Sequence, residues 1–437
     1  MKPLTDNSQL RAALEKGHRK PGSGKLGLEF EQFILDKRSK TVSYFGAGGV
    51  EEILKNLQER TGWQPYFDHG HLVALTAADG RAITLEPGGQ IEFGSTPCAD
   101  LQAMNAEVAH YRGLLAGIRE ETGYCFLALG SNPTARPDDI RRLPKSRYDY
   151  LEPWLQQADE LGIWMMKTTA GVQVNFDHFD EADAMLKLRT VFQLAPVFNA
   201  IFANSLIRAG ELSGYMSWRG HVWTKTDNSR CGIVERFTKP GQTFDDYIDW
   251  MLDVPMLFIE RDGKLVDKRG QSFRAMMDAG EATEADWDLH LSTPFPEVRF
   301  RPQVELRCAD TVPPQYALAL SALVEGLFYD EDALQHAAAL TEQWSYGQRI
   351  ETWHQAHRSA LAGTTPDGKK LLDYARELMQ MAKPSAIADP FLDPLRELLD
   401  DGRSLAERTA TELERRGDIG GADLTGVLAP YCCAYSS

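Results

Sequence analysis

The chain has 437 residues, of which 43% are hydrophobic and 25% charged, a composition that excludes disorder as the main state. Its 47 Lys and Arg against 63 Asp and Glu give a formal net charge of −16. This acidic balance argues against nucleic acids and anionic membranes as partners, because both are bound through Lys and Arg that neutralise phosphates. ATP stays compatible with it, provided that metal ions and a few local cations balance the phosphate charge.

The cysteines and the apolar stretches predict where the protein resides. Its six cysteines are scattered without a C-x-x-C pair, which favours neither a disulfide scaffold nor a zinc ribbon. The first 25 residues lack the apolar run of a secretory signal peptide. The longest apolar stretch, residues 190–207, is interrupted by polar residues and a proline, which is typical of a buried helix. We therefore predict a cytoplasmic protein without a membrane partner.

The first predicted strands carry glutamates on their polar faces. Residues 25–36 alternate apolar and polar side chains, which predicts a strand with Glu29 and Glu31 on one face. Residues 81–94 predict two short strands joined by a Pro-Gly-Gly turn. The polar residues of this hairpin are Glu86, Gln90 and Glu92.

A helix, a strand and a long loop are predicted next. The pattern indicates an amphipathic helix over 101–122 and a buried strand over 125–129. Residues 131–153 contain four prolines and four arginines, which predicts an irregular loop that could serve as a lid.

The rest of the chain predicts two more strands among many helices. Residues 171–177 and 297–307 alternate as strands do, and 183–207 predict one or two helices interrupted at a proline. The polar faces of the two strands carry Gln173 and Asn175, and Gln303, Glu305 and Arg307, respectively. From about residue 314 the chain is predicted to be mostly helical. Strands separated by pairs of helices, without strict β-α-β alternation, predict an α+β fold with a mainly antiparallel sheet.

Five glutamates on strand-like segments are the strongest chemical signal. They are Glu29, Glu31, Glu86, Glu92 and Glu305. Neighbouring carboxylates repel one another, and bound cations relieve that repulsion. Oxygen ligands without a His or Cys cluster indicate Mg²⁺ or Mn²⁺, ions that also hold nucleotide phosphates. The alternative is that these glutamates form the solvated face of an amphipathic sheet.

A second set of candidates is basic. Its members are Lys167, Arg219, Arg230, Arg299 and Arg307. The planar fork of Arg matches carboxylate and phosphate oxygens, so Arg219 and Arg307 are natural anion clamps. The alternative for each is an ordinary surface charge or ion pair.

Six blocks, in this order and spacing, resemble the glutamate–cysteine ligases of the plant and proteobacterial type. They read LGLEFEQF, ITLEPGGQIEFGSTP, MMKTTAGVQVNFD, SWRGHVWTKTDNSRCG, YIDWMLDVPMLF and FPEVRFRPQVELRCAD. The resemblance implies a glutamine synthetase-like fold, with a curved, mainly antiparallel sheet that forms a funnel flanked by helices. It implies one catalytic domain over 1–437, with a ligase core at 25–333 and a mostly helical part at 334–437.

The resemblance also implies an activity. The enzyme would join the γ-carboxylate of L-glutamate to the amine of L-cysteine, the first step of glutathione synthesis. Phosphorylation by ATP would give a γ-glutamyl phosphate, because phosphate leaves far more readily than oxide. The implied partners are ATP, L-glutamate and L-cysteine or another amine, with Mg²⁺ or Mn²⁺ bound and the protein a monomer or homodimer. A ligase with another acceptor or donor, and a non-catalytic binding protein that retains the fold, stay open.

Each polar residue acquires an implied role from the resemblance. The implied metal ligands are Glu29, Glu31, Glu86, Glu92 and Glu305, and the implied catalytic pair is Glu305 and Arg307. The implied substrate contacts are Arg219, Lys167 and Arg230, and the implied nucleotide contacts are Gln173, Asn175 and Arg307. Arg219 would clamp the α-carboxylate of glutamate, and Arg307 would contact the transferring phosphate. Gln173 stands where related ligases carry a histidine metal ligand.

The sequence departs from the plant pattern at the cysteines that form regulatory disulfides. The helix after the glutamate-rich turn reads LQAMNAEVAH, and the segment after the LDVPM block reads VDKRGQSFRAMMDAG. Neither contains a cysteine, so we expect no plant-type redox switch.

Overall fold

The structure is a computed structural model that describes residues 4, 6–416 and 425–432. The strands in these residues are β1 Leu26–Leu35, β2 Gln64–Asp68, β3 His71–Thr76, β4 Ala82–Leu85, β5 Ile91–Gly94, β6 Cys125–Leu127, β7 Gly171–Phe176, β8 Ile207–Arg208, β9 Glu211–Leu212, β10 Cys231–Gly232, β11 Phe258–Arg261, β12 Lys264–Asp267, β13 Phe295–Pro296, β14 Val298–Phe300 and β15 Val304–Asp310.

The helices are α1 Asn7–Glu15, α2 Val50–Thr61, α3 Leu101–Thr122, α4 Tyr148–Ala158, α5 Gly162–Thr168, α6 Glu181–Ile201, α7 Trp218–Trp223, α8 Phe244–Asp253, α9 Phe273–Asp278, α10 Glu284–His290, α11 Pro314–Phe328, α12 Glu331–Ala339, α13 Tyr346–Ser359, α14 Leu371–Met381, α15 Asp393–Asp401, α16 Leu405–Arg416 and α17 Thr425–Leu428. None of these described helices combines the length and the hydropathy needed to cross a bilayer.

The described residues build one large sheet, whose strand order is β14-β15-β7-β1-β5-β4-β3-β2 with β6 added beside β1. Every pairing in it is antiparallel, which confirms the predicted α+β fold with a mainly antiparallel sheet. Register sets which polar residues become neighbours. Glu31 is the cross-strand partner of Glu92, and Glu29 that of Gln173.

The opposite face of the sheet is apolar. Leu28 and Phe30 alternate with the glutamates of β1, and they are no more than 2% exposed. Period-2 alternation puts them on the far side of the strand, where burial of each such side chain contributes roughly 1.5–3 kcal/mol. The sheet therefore has one face that packs into the core and one that is available for a site.

The predicted strand over 297–307 is wrong, because this segment is a hairpin. β14 and β15 pair with each other, and residues 301–303 form the turn between them, closed by an Arg301 N–H to Gln303 carbonyl bond of 3.0 Å. Pro302 has no N–H to donate to a ladder, which favours a turn there. Gln303 consequently lies in the turn rather than beside Glu305, and Arg299 becomes the cross-strand partner of Glu305.

Two other predictions need correction. α6 continues through Pro196 as one helix, because its residues from Thr190 to Ile201 are all buried and tertiary packing outweighs the lost backbone bond. The predicted loop over 131–153 becomes helical at Tyr148, since the buried side chains of α4 recur at helical spacing. The predicted elements at 25–36, 81–94, 101–122 and 171–177 are confirmed within two residues or so at their ends.

Candidate active site

A cavity of about 360 Å³ lies on the polar face of the sheet. Its wall contains carboxylates and guanidinium groups together. The charged residues of the wall are Glu29, Glu31, Glu86 and Glu92, and Arg147, Arg219, Arg299, Arg301 and Arg307. An enclosure with both kinds of charge suits a ligand that carries anionic groups and metal cations at once.

Burial and mutual repulsion raise the pKa values of two wall carboxylates, those of Glu31 and Glu92. Burial raises the pKa of Glu31 to about 7, and the charge of Glu86 adds to the effect. Burial likewise raises the pKa of Glu92 well above its usual range, with further increases from Glu86 and Glu29. Such a cluster binds protons near neutral pH unless another cation replaces them. The glutamates are therefore poised to exchange protons for a metal ion.

Side-chain amides on β7 orient two of these carboxylates. Gln173 Nε2 donates to Glu31 over 2.7 Å, and the Gly171 N–H donates to the other oxygen of Glu31 over 2.7 Å. Asn175 Nδ2 donates to Glu29 over 2.9 Å. Gln173 also lines the cavity, and its buried Oε1 has no hydrogen-bond partner among the described residues. An orphaned acceptor beside a carboxylate fits a ligand cation or a bound donor.

Glu305 lies behind the arginines. Arg299 forms a bidentate pair with it, with distances of 2.8 and 2.9 Å, and Arg307 Nη1 donates to the same carboxylate. Although burial alone would raise the pKa of Glu305, the two guanidinium groups outweigh it and lower the pKa to about 2. Glu305 is only 1% exposed. Its assignment as a metal ligand stays a prediction, while its contacts show it anchoring Arg299 and Arg307.

Arg219 reaches the cavity from the first turn of α7. Its Nη2 donates to the carbonyl of Arg307 over 3.2 Å, and the side chain crosses the backbone of β7 at Gly171. A Cβ atom on Gly171 would lie 2.6 Å from Nη2, so only glycine leaves space for this path. The structure thus brings Arg219 and Arg307 together in the cavity wall, while their roles as anion clamps stay predictions.

Lys167 and Arg230 do not line the cavity, and their role as substrate contacts stays a prediction. Lys167 Nζ pairs with Glu152 of α4 over 3.1 Å. Arg230 is 1% exposed, and its guanidinium donates to Asp227 over 2.7 Å and to the Pro255 carbonyl over 2.8 Å. Both cations are already paired with groups of the protein, a difference that sequence spacing does not reveal.

Sequence reasoning missed two cationic wall residues. Arg147 lies in the arginine-rich segment that was predicted as a lid, and its buried Nε has no hydrogen-bond partner among the described residues. Arg301 comes from the β14–β15 turn. The unusual arginine content of its loop could have indicated Arg147. Arg301 could be placed in the wall only once the β14–β15 hairpin was known.

The donor set determines how a metal could be held here. Across residues 4, 6–416 and 425–432, no three His, Cys, Asp or Glu side chains are grouped closely enough to hold a metal ion. The wall carboxylates and the orphaned Gln173 oxygen are nevertheless the hard ligands that Mg²⁺ prefers. Mg²⁺ is commonly bound by one or two carboxylates together with substrate phosphates, so the residues fit a metal that arrives with a nucleotide.

This antiparallel sheet, with carboxylates and arginines around one cavity, provides the charged groups that a ligase acting on phosphates and carboxylates requires. A model of glutamate–cysteine ligase family 2 (GCS2) matches residues 25–424. The chain belongs to that family.

Known relatives agree with the assignment. The chain is 35% identical over 390 residues to glutamate–cysteine ligase B, chloroplastic, of Oryza sativa subsp. japonica, covering 87% of the chain and 77% of the relative. It is 35% identical over 388 residues to glutamate–cysteine ligase, chloroplastic, of Brassica juncea, covering 87% and 74%. A glutamate–cysteine ligase from Francisella tularensis, solved in complex with AMP, shares the fold with a TM-score of 0.55 at 10% identity, covering 95% of this chain and 88% of that one.

Family membership confirms the predicted resemblance and activity class. The chain is an ATP-dependent ligase whose family forms γ-glutamylcysteine. The predicted cytoplasmic location, in contrast, is wrong, because the relatives from Oryza sativa, Brassica juncea and Arabidopsis thaliana are named as chloroplastic. A low cysteine count argues against a disulfide scaffold, but it does not distinguish one reducing compartment from another.

We expect dithiothreitol to leave turnover within about twofold of its value without reductant, because no disulfide joins any two cysteines in the described residues. Burial raises the pKa of Cys98 and raises that of Cys308 well above the usual range, which disfavours the reactive thiolates. The measurement is the initial rate after oxidation or reduction of the enzyme, with substrate cysteine kept reduced. A several-fold dependence on thiol would contradict this expectation.

Proposed function

We propose that the cavity binds MgATP and L-glutamate and forms γ-glutamylcysteine through a γ-glutamyl phosphate. The observation that carries the proposal is the shared wall of four glutamates and five arginines in a chain of this family. In the first step an oxygen of the γ-carboxylate attacks the terminal phosphorus of ATP, and ADP leaves. In the second step the amine attacks the acyl carbon, phosphate leaves, and the amine loses a proton.

The arginines orient the reacting groups. Arg219 holds the α-carboxylate of glutamate, for which its planar fork is suited. Arg307 contacts the phosphoryl group in transfer and balances its developing charge. Glu305 fixes Arg307 through the ion pair described above, so the guanidinium is positioned before substrate arrives. Arg147, with an unsatisfied buried donor, is a further candidate for phosphate.

The wall carboxylates would hold the metal. We assign this role to Glu29, Glu31, Glu86 and Glu92, while Glu305 serves through its arginine pairs. When bound, Mg²⁺ screens the phosphate oxygens of ATP and supports in-line displacement. Gln173 and Asn175 keep the carboxylates of Glu31 and Glu29 oriented, and the free oxygen of Gln173 is available to the cation or to nucleotide.

The proposal includes cysteine as the acceptor. The cavity wall has apolar side chains as well, among them Met165, Met166 and Phe295, which suit a small thiol side chain.

The proposal also includes a single catalytic unit. Buried residues from Leu4 to Tyr431 belong to one hydrophobic cluster, which supports one unit with a core at 25–333 and a helical part after it.

The direct test is ADP release by purified protein with MgATP and L-glutamate, with and without L-cysteine, followed by mass analysis of the product. The proposal predicts cysteine-dependent ADP release and a mass of γ-glutamylcysteine. ADP release that requires glutamate but ignores cysteine would replace the acceptor and leave the activation chemistry in place.

Thermal melting should report metal binding as a function of pH. The raised folded-state pKa of Glu31 means that the free protein loses stability as pH rises from about 4.5 towards 7, since the folded form binds its proton more tightly. Mg²⁺ competes with that proton, so millimolar MgATP should raise Tm by about 2 °C or more at pH 8 and by less at pH 6. Glu31→Gln should reduce the pH dependence of the shift, and the remainder should come from Glu92, whose pKa is also raised. An equal shift at both pH values would contradict the role of this cluster.

Arg219→Ala should raise KM for glutamate by about 100-fold while KM for ATP changes much less, because it removes a charge-assisted contact to one substrate only. Steady-state kinetics with each substrate varied in turn give the two values. Equal increases in both KM values would point to a structural role for Arg219.

A further inference from the structure

A buried carboxylate at the end of β15 has no part in the chemistry described so far. Asp310 is only 1% exposed. Its Oδ2 accepts from the Asn204 N–H over 2.8 Å and from Ser205 Oγ over 2.7 Å, and its Oδ1 accepts from Ser217 Oγ over 2.9 Å. A carboxylate is retained in such a place only when strong donors surround it. Its partners therefore indicate what it organises.

Those partners are the groups that begin α7. Ser217 is the N-cap residue, and its Oγ accepts from the Gly220 N–H over 3.0 Å. Ser205 Oγ accepts from the Arg219 N–H over 3.0 Å. Each hydroxyl thus donates to Asp310 and accepts from the first turn of α7. A six-residue helix has little stability of its own, so these bonds determine where its first turn lies.

Two glycines keep this arrangement close-packed. A Cβ atom on Gly130 would lie 2.5 Å from Cγ of Asp310, and one on Gly171 would lie 2.6 Å from Nη2 of Arg219. The Asp310 carboxylate and the Arg219 guanidinium therefore both pack directly against backbone. They are linked through the serine hydroxyls and the first turn of α7. The two charges also interact electrostatically. Burial raises the pKa of Asp310, and the positive charge of Arg219 opposes that increase.

We propose that Asp310 is a positioning residue, which fixes Arg219 in the cavity wall through Ser205 and Ser217. Asp310 does not line the cavity and acts on substrate only through α7. This inference rests on the proposed contact between Arg219 and the α-carboxylate of glutamate. A guanidinium displaced by a fraction of an ångström loses its bidentate geometry, so the effect should fall on glutamate rather than on ATP.

The test is a double-mutant cycle with Asp310→Asn and Arg219→Ala. Asp310→Asn keeps the side-chain shape, and we expect it to raise KM for glutamate on the order of tenfold with KM for ATP within about twofold. In the Arg219→Ala background the same change should have almost no further effect on KM for glutamate, because the group through which Asp310 acts is gone. Additive effects of the two changes would overturn the proposal.

The single variants separate this proposal from the role of Arg219 itself. If Arg219→Ala leaves KM for glutamate unchanged, the substrate contact is wrong and the positioning role fails with it. If Arg219→Ala raises that KM but Asp310→Asn does not, only the positioning role fails. Should Asp310→Asn not fold, Ser205→Ala replaces it in the same cycle with the same expectations.

Ser321→Ala is the matched control. Ser321 is also buried, and within the described part of the chain its Oγ donates only to the Ala317 carbonyl of its own helix, α11, over 3.2 Å. We expect this variant to lower thermal stability without changing the ratio of the two KM values. If Ser321→Ala changed that ratio as much as Asp310→Asn does, loss of an unrelated buried hydrogen bond would be enough to produce the effect. That result would overturn the specific role of Asp310.

Discussion

Glu29→Gln should lower kcat by about 100- to 1000-fold with the fold intact, because it removes the charge of a carboxylate proposed to hold the metal cation without changing side-chain shape. Glu29 lines the cavity, and the bond from Asn175 fixes its orientation. The measurement is steady-state turnover at saturating substrates, together with far-UV circular dichroism. Raising Mg²⁺ should recover part of the lost rate, since a weakened cation site fills at higher concentration.

Glu260→Gln is the control for this variant. Glu260 is also a strand residue, on β11, but it is exposed and outside the cavity wall. Its replacement should leave kcat within about twofold, as is usual for surface changes. A Glu29→Gln enzyme with near-normal turnover at ordinary Mg²⁺ would contradict its assignment as a ligand.

Arg307→Lys should lower kcat by about 100-fold or more, although the charge is kept. Lys lacks the planar fork, so it cannot contact Glu305 and a phosphoryl oxygen in the same geometry. Because the contact to phosphate strengthens in the transition state, the loss should appear mainly in kcat. Measuring kcat and both KM values on the same preparation shows how much of the loss falls on kcat and how much on KM.

Arg261→Lys is the matched control. Like Arg307, Arg261 donates to a buried carboxylate, here that of Asp286 through both Nη atoms, but it lies outside the cavity wall. It should affect stability and leave kcat per folded molecule unchanged. If the two variants lose turnover equally, the effect comes from a broken ion pair rather than from phosphoryl transfer.

The strands that carry the site could be predicted from the sequence, whereas their pairing could not. Alternation placed Glu29 with Glu31 because the side-chain period of a strand is fixed. It misread 297–307, since two short antiparallel strands show the same alternation as one long strand. Register between distant strands depends on tertiary packing, so the sequence did not show that Glu31 pairs with Glu92.

The basic residues also show that the sequence does not reveal which side chains meet in the fold. Arg219 and Arg307 were predicted as anion clamps and do line the cavity. Lys167 and Arg230 have the same chemistry, but Glu152 and Asp227 pair with them. Asp227 is only three residues from Arg230, yet the sequence alone does not show which nearby carboxylate pairs with a cation. Arg299 was seen as basic, yet its bidentate pair with Glu305 required the hairpin.

The most direct measurement of the central claim, activation of a carboxylate by phosphorylation, uses L-glutamate labelled with ¹⁸O in its γ-carboxylate. The enzyme is allowed to turn over with MgATP and L-cysteine, and the phosphate is analysed by mass. The account predicts one ¹⁸O atom in each phosphate formed, because the oxygen that attacks ATP leaves with phosphorus. Product that accumulates with unlabelled phosphate would contradict it.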